Sequence, residues 1–272
     1  MSHLDKLMKH DIIKAQGGVK VYTFENIDFE KYVNILYRAV SRCDTQSRHA
    51  FFMCSCKLLQ RLFHIEYQLE FGSFDSQLDP YSKGKFFSNK DNSKDGCKIL
   101  ISDKLLKTDK TAEMDGCADF ITKVLEENNN WKIPLTILSS LCHEFKHAYD
   151  YFNDRLIKTD LSKLKDLSDA GVTAVYFLSP AEIAARKVEI ELPKEILTRL
   201  LPFCKNELYY SLSVYIEENM FPALNKKLVA FKKTEQDMMM VLEDSNIKIK
   251  DYMLLPPNNT TTSSITQEKM SY

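Results

Sequence analysis

The chain predicts an α+β fold in which short strands precede a series of long helices. Three observations carry this expectation. Ile65-Glu66-Tyr67-Gln68-Leu69-Glu70-Phe71 alternates apolar and polar side chains, the pattern of a half-buried strand. Lys98-Ile99-Leu100-Ile101-Ser102 is a second short apolar run of strand length. After Pro134 neither glycine nor proline occurs until Gly171, and Leu138, Leu141, Cys142, Phe145, Ala148 and Tyr149 fall at helical spacing. The sheet expected from such strands is small and antiparallel or mixed.

The elements follow in order. Residues 19–24 alternate like an early strand, and residues 29–42 and 48–63 read as two amphipathic helices. The 65–71 strand gives way to a polar, loop-like stretch over 72–96, rich in Ser, Asp, Asn and Lys. The 98–102 strand is placed at the sheet edge by analogy, where an extended partner chain would pair with it. A helix over 112–127 ends at Asn128-Asn129-Asn130. The apolar helix then begins near Pro134, since proline is tolerated in a first turn. Residues 153–175 form a polar connection with a short helix around 161–166. Ser179-Pro180 opens another helix, with serine as N-cap and proline as first helical residue. Further helices are expected over 194–201, 206–218 and 223–243, punctuated by Pro193, Pro202 and Pro222. The expected division is a main domain over 1–192, a helical extension packed on it over 193–255, and a disordered polar tail over 256–272.

Composition sets limits. At 272 residues the chain is long enough to bury a substantial core. A net charge of −1 argues against a general nucleic-acid-binding surface. No apolar run is long enough to span a membrane, and the first residues lack the apolar core of a secretory signal. Seven cysteines at scattered spacings fit reduced thiols and a cytoplasmic setting. Cys54 and Cys56 lie two apart on a helix, so they face different sides and read as packing residues rather than a metal pair.

The chemistry is concentrated in His143-Glu144-Phe145-Lys146-His147, an H-E-x-x-H motif within the apolar helix. Residues four apart lie on one helical face, so the two imidazoles can hold one Zn²⁺. Glu144, beside the first histidine, is placed to take a proton from a water that the ion activates. No histidine follows His147, so a downstream third ligand would be a carboxylate. Glu182, in the first turn of the helix opened by Ser179-Pro180, is the leading choice. Ala181, Ala184 and Ala185 would let that helix approach closely. Glu182 also fits a capping box with Ser179, in which its carboxylate would return to the serine N–H. Glu189, Glu191, Asp150 and Asp154 remain as alternatives, with Asp150 favoured as a partner that orients a ligand histidine. Tyr149, Tyr176, Tyr209, Tyr210 and Arg186 are available to stabilise a developing oxyanion.

Leu141 to Asp150, followed by Ala181-Glu182-Ile183-Ala184-Ala185, resembles gluzincin-type zinc metallopeptidases, most closely small bacterial effector peptidases delivered into host cells. The resemblance covers roughly residues 95–192. It implies a zincin-like core and an endopeptidase acting on a protein or peptide substrate. It also implies a cytoplasmic location or delivery into a host cytosol by a non-classical route. The chain lacks the Asn-Glu pair and later catalytic histidine of thermolysin-like members. A di-iron reading is disfavoured because the E-x-x-H element occurs only once. The alternative is a non-catalytic helical interaction protein with a structural or vestigial metal site.

Overall fold

The computed structural model describes residues 24, 26–79, 82–88, 94–107 and 130–254. The helix expected over 112–127, the tail over 256–272, and all but Phe24 of the strand expected over 19–24 lie outside the described residues.

Helices α1 (Phe29–Arg42) and α2 (Thr45–Leu62) form an antiparallel pair. Each begins where an aspartate side chain accepts a backbone N–H: Asp28 from Lys31 and Asp44 from Ser47. The Asp44 cap is why α2 starts three residues before the expected position. Cys43 joins the helices in a left-handed conformation, with φ 53°. As expected for packing residues, Cys56 is buried and Cys54 is half-buried. No disulfide joins any of the six cysteines described.

The chain then forms three strands, β1 (Leu69–Phe74), β2 (Gly84–Phe87) and β3 (Cys97–Ser102). Their order is β1-β3-β2, with β1 parallel and β2 antiparallel to β3. This is a mixed sheet, and two expectations change. First, residues 98–102 are central, not at an edge. Cys97, Ile99 and Ile101 are fully buried, and Lys98 lies across from Glu70 with a 2.5 Å ion pair. Second, one of the two edge strands arises within the stretch read as loop, from Gly84-Lys85-Phe86-Phe87. β1 also starts later than expected, because Ile65 and Tyr67 serve the turn. Their carbonyls accept from the Gln60 side chain at 3.3 and 3.2 Å.

A single turn, α3 (Asp103–Leu106), follows β3. The long helix α4 (Lys132–Phe152) lies against the sheet and α2. Phe145 is fully buried at that junction, its ring 5.9 Å from Phe63 and 6.0 Å from Phe71. The connection after α4 carries strand β4 (Lys158–Thr159), a 3-10 turn at Leu164–Asp166, and an unanticipated helix α5 (Asp169–Phe177). Ser168 caps α5 by accepting the Gly171 N–H. Leu164, Ala174, Val175, Leu178 and Leu242 form a small second cluster that fastens α5 to the C-terminal helix.

Helix α6 (Pro180–Leu200) runs through Pro193 without interruption, against the expected break. Proline inside a helix costs about 3 kcal/mol. Here Leu192, Ile196 and Leu197 are nearly fully buried on the main core, and their burial outweighs that cost. A short α7 (Tyr210–Val214) passes through a π-helical stretch, Tyr215–Met220, into α8 (Phe221–Asp244). The wider turn precedes Pro222, which has no N–H to offer to a regular α-helical ladder. One continuous core joins α1, α2, β3, α4, α6, α7 and the start of α8. β5 (Met253–Leu254) pairs with β4. Among the described residues no helix is long and apolar enough to cross a membrane.

Because Phe145 ties α4 to both α2 and the sheet, Phe145→Ala should cost about 3–5 kcal/mol of stability. Urea unfolding measures it. A loss below about 1 kcal/mol would contradict this central packing.

Candidate metal centre

Helices α4 and α6 pack along each other, and the site lies between them. His143 and His147 are one turn apart on α4 and aim their Nε2 atoms at one point, 3.1 Å from each other. Glu182, in the first turn of α6, turns its carboxylate into the same space. Its Oε1 is 3.2 Å from His147 Nε2 and its Oε2 is 3.5 Å from His143 Nε2. Among the described residues this trio is the group whose donor atoms could hold a metal ion. Two nitrogens bound tetrahedrally at about 2.0–2.1 Å from one ion lie about 3.3 Å apart. The 3.1 Å between the two nitrogens is near that value, and each nitrogen has one Glu182 oxygen at 3.2 or 3.5 Å, so the donor set fits a small divalent ion.

The start of α6 distinguishes a capping glutamate from a site glutamate. Ser179 Oγ accepts the Glu182 N–H at 3.4 Å, the serine half of a capping box. The reciprocal half is missing, because the Ser179 N–H donates to the Tyr176 carbonyl at 3.2 Å. The Glu182 carboxylate is thereby left to face the histidines. Arg186, one turn on, reaches its Oε2 at 3.3 Å, donates to the Phe177 carbonyl, and stacks on the Phe177 ring.

The alternative carboxylates lie elsewhere. Glu191 is exposed, and Asp154 pairs with Lys94 at 3.2 Å. Asp150 is ion-paired with Lys146, its i−4 neighbour, so it does not orient a histidine as expected. Glu189 takes that part. His143 Nδ1–H donates to Glu189 Oε2 at 3.2 Å, and Lys227 of α8 donates to Glu189 Oε1 at 2.5 Å. This pairing turns His143 Nε2 toward the site, where a bound ion would take the place of its proton. A signal for it was present in the sequence: Glu182 and Glu189 are seven residues apart and share one face of α6.

Glu144 is buried beside the trio but points toward the sheet. Burial raises its pKa above the ordinary carboxylate value, with the neighbouring histidines opposing and Glu182 adding. The Phe86 N–H of β2 donates to it. Gly84 of the same strand lies so close that a Cβ there would sit 2.9 Å from Glu144 Cγ. β2 therefore seats the Glu144 side chain. Of the four tyrosines considered, Tyr176 alone reaches the site. Its hydroxyl is hydrogen-bonded to Glu182, and its pKa is raised well above the ordinary tyrosine value by burial and by Glu182. Its ring is half exposed. Tyr149 packs against Phe63, Tyr209 against Tyr37, and Tyr210 is exposed.

The charges are mutually dependent. Burial lowers the His143 pKa, but hydrogen bonds to Glu182 and Glu189 prevail and hold it raised to about 10. Burial opposes ionisation of Glu182 and Glu189, yet the histidine partners hold Glu182 well below the usual range and Glu189 at about 2. Without metal, the His143 contribution to stability is full below the ordinary value of 6.5 and is lost as pH rises through about 10. The Glu189 contribution is present above 4.5 and is lost as pH falls toward about 2.

Compared with known proteins, the chain matches no family model, no curated protein and no solved structure. The chemistry of the site therefore rests on its own geometry.

Two outcomes are expected. A metal must displace the His143 proton, so zinc uptake near pH 7 should release about one proton per ion. Calorimetric titration in buffers of different ionisation enthalpy reads this directly, and identical enthalpies in all buffers would contradict it. Gly84→Ala should destabilise the fold by about 1–3 kcal/mol through overpacking against Glu144. In a Glu144→Ala background the same change should cost at least about 0.5 kcal/mol less. Additive costs would mean that β2 does not seat Glu144.

Proposed function

We propose that the chain is a zinc-dependent endopeptidase with a zincin-like core, hydrolysing peptide bonds of a protein substrate. The observation that carries this reading is the convergence of His143, His147 and Glu182 on one point with the buried carboxylate of Glu144 alongside. A purely structural site would be complete without that base.

His143, His147 and Glu182 hold the ion, and Glu189 with Lys227 fixes the His143 ring. When bound, zinc supplies Lewis acidity, which makes water a better nucleophile and a carbonyl a better electrophile near neutral pH. Glu144 accepts the proton of the attacking water and passes it to the leaving nitrogen. Its burial makes it a stronger base than an exposed glutamate, and the Phe86 N–H steadies it. Tyr176 donates its hydroxyl to the carbonyl oxygen as negative charge develops there. Arg186 holds Glu182 from the far side and limits its rotation.

Strand β2 supports a peptide as the substrate. One of its sides pairs with β3, and it lies at the edge of the sheet beside Glu144. An extended chain paired along that edge would pass the base with its backbone held by main-chain hydrogen bonds. This is the role expected for residues 98–102, moved to a strand that the sequence hid.

Zinc-loaded protein should cleave peptides from an unbiased library. Glu144→Gln should stay folded and zinc-loaded while cleavage falls on the order of 10²–10⁴-fold. Tyr176→Phe should lower kcat by about 10²–10³-fold with little change in KM. A Glu144→Gln protein that cleaves as fast as the wild type would remove Glu144 from the mechanism. A wild type that binds zinc but cleaves nothing would favour the non-catalytic reading.

A further inference from the structure

A cavity of about 430 Å³ opens between the first turns of α4 and the start of α8, and it has no part in the chemistry above. Trp131, Leu135 and Leu224, all buried, give it apolar walls together with the half-buried Ala223. Among the described residues that line it, two carry hydroxyls, Thr136 and Ser139. Thr136 Oγ1 is already engaged, because it donates to the Lys132 carbonyl at 2.9 Å. Ser139 is only 2% exposed, and among the described residues its hydroxyl has no hydrogen-bond partner. A buried hydroxyl without a partner is costly, and native structures keep few of them.

Two links place this cavity beside the metal centre. Ser139 and His143 stand at i and i+4 on one face of α4, about 6 Å apart along the axis. Lys227, in the cavity wall, donates to Glu189, which takes the Nδ1–H of His143. Burial sets the depth of the cavity. Ser139, Leu135 and Leu224 form its floor, and the exposed Ala230 stands at its rim.

We propose that this cavity receives a tyrosine side chain of the polypeptide held at the metal centre, with its phenol hydroxyl paired to Ser139 Oγ. The inference rests on the peptidase reading and adds its substrate class. An extended chain advances about 3.3 Å per residue. An offset of about 6 Å along α4 therefore serves a residue within two positions of the cleaved bond. Tyrosine is the side chain that joins a large apolar body to a terminal hydroxyl. Its ring suits the walls of Trp131, Leu135 and Leu224, and its hydroxyl can either donate to the serine or accept from it. A phenylalanine would fill the same walls but would shut the serine hydroxyl away from any partner. A site built around such a hydroxyl rejects the analogue that lacks the matching group.

Three measurements test this. In the first, zinc-loaded wild type is profiled on paired peptide libraries with Tyr or Phe at each position. Cleavage should favour Tyr over Phe by about fivefold or more at one position within two residues of the cut. Ser139→Ala should bring that ratio of kcat/KM close to unity by slowing the Tyr peptides. In the second, the same peptides are bound by zinc-loaded Glu144→Gln protein, with and without Ser139→Ala. Emission from Trp131, the one tryptophan of the chain, reports entry into the cavity without any turnover. Tighter binding of Tyr peptides, equalised by Ser139→Ala, supports the cavity even if the wild type proves unable to cleave. In the third, Ser139→Ala should not lower the melting temperature of the zinc-loaded protein, because the hydroxyl it removes has no partner to lose. A clearly lowered melting temperature would assign that hydroxyl to the fold and overturn the proposal. Cleavage that is indifferent to Tyr or Phe overturns it and leaves the peptidase reading standing. Equal binding of the paired peptides, or a Tyr preference that survives Ser139→Ala, overturns it whether or not cleavage occurs.

Discussion

Two imidazole nitrogens 3.1 Å apart between packed helices are the constraint on which the rest of the site depends. Both rings are largely removed from water, and among the described residues the facing nitrogens meet each other and the Glu182 carboxylate. Such a pair is costly unless opposite charge surrounds it. The fold supplies that charge from α6, with Glu182 facing both Nε2 atoms and Glu189 taking the Nδ1–H of His143. Lys227 and Arg186 then balance the carboxylates from α8 and from α6 itself. The cluster accounts for the register of α4 on α6: sliding either helix by a turn would strand buried charges on both. The apolar packing of Phe145 and the uninterrupted run of α6 through Pro193 hold that register from below.

How much of this was legible in the sequence follows from which signals are local. The H-E-x-x-H motif and its helix depend on spacing within five residues and on a sustained apolar stripe, and both could be read. Phe29–Arg42 was legible to the residue for the same reason. Glu182 was legible as a possibility, because Ser179-Pro180 marks a helix start. Choosing between cap and site needed the Tyr176 carbonyl, which occupies the Ser179 N–H and is a matter of how α5 meets α6. Strand β2 was hidden because four residues are too few to show alternation, and three of them are Lys-Phe-Phe inside a polar stretch. Misplacing β3 at the edge followed directly, since a missing strand leaves its neighbour apparently unpaired. Helix α5 was missed because its amphipathic pattern is short and its burial comes from Leu242 and its neighbours, far along the chain. Pro193 was read by its intrinsic preference, which tertiary burial overrode.

The same geometry joins structure to chemistry through β2. One strand of four residues supplies the glycine that admits Glu144, the N–H that steadies it, and the sheet edge an extended chain can pair with. Rigid elements hold the buried groups, while Tyr176 rides on α5, which is anchored through a smaller cluster at the far end of α8. On the proposed reading, Glu144 as proton acceptor is held fixed, and the Tyr176 hydroxyl stands at the half-exposed rim.

The central claim is that His143, His147 and Glu182 together hold one zinc ion, and its most direct test is X-ray absorption on zinc-loaded protein alongside metal analysis of variants. The account predicts about one zinc per chain, two imidazole nitrogens at about 2.0–2.1 Å with oxygen completing a four-coordinate shell, and loss of bound zinc in His143→Ala, His147→Ala and Glu182→Ala. A folded wild type that takes up no zinc, a shell without two imidazoles, or a Glu182→Ala protein that keeps its full zinc complement would contradict it.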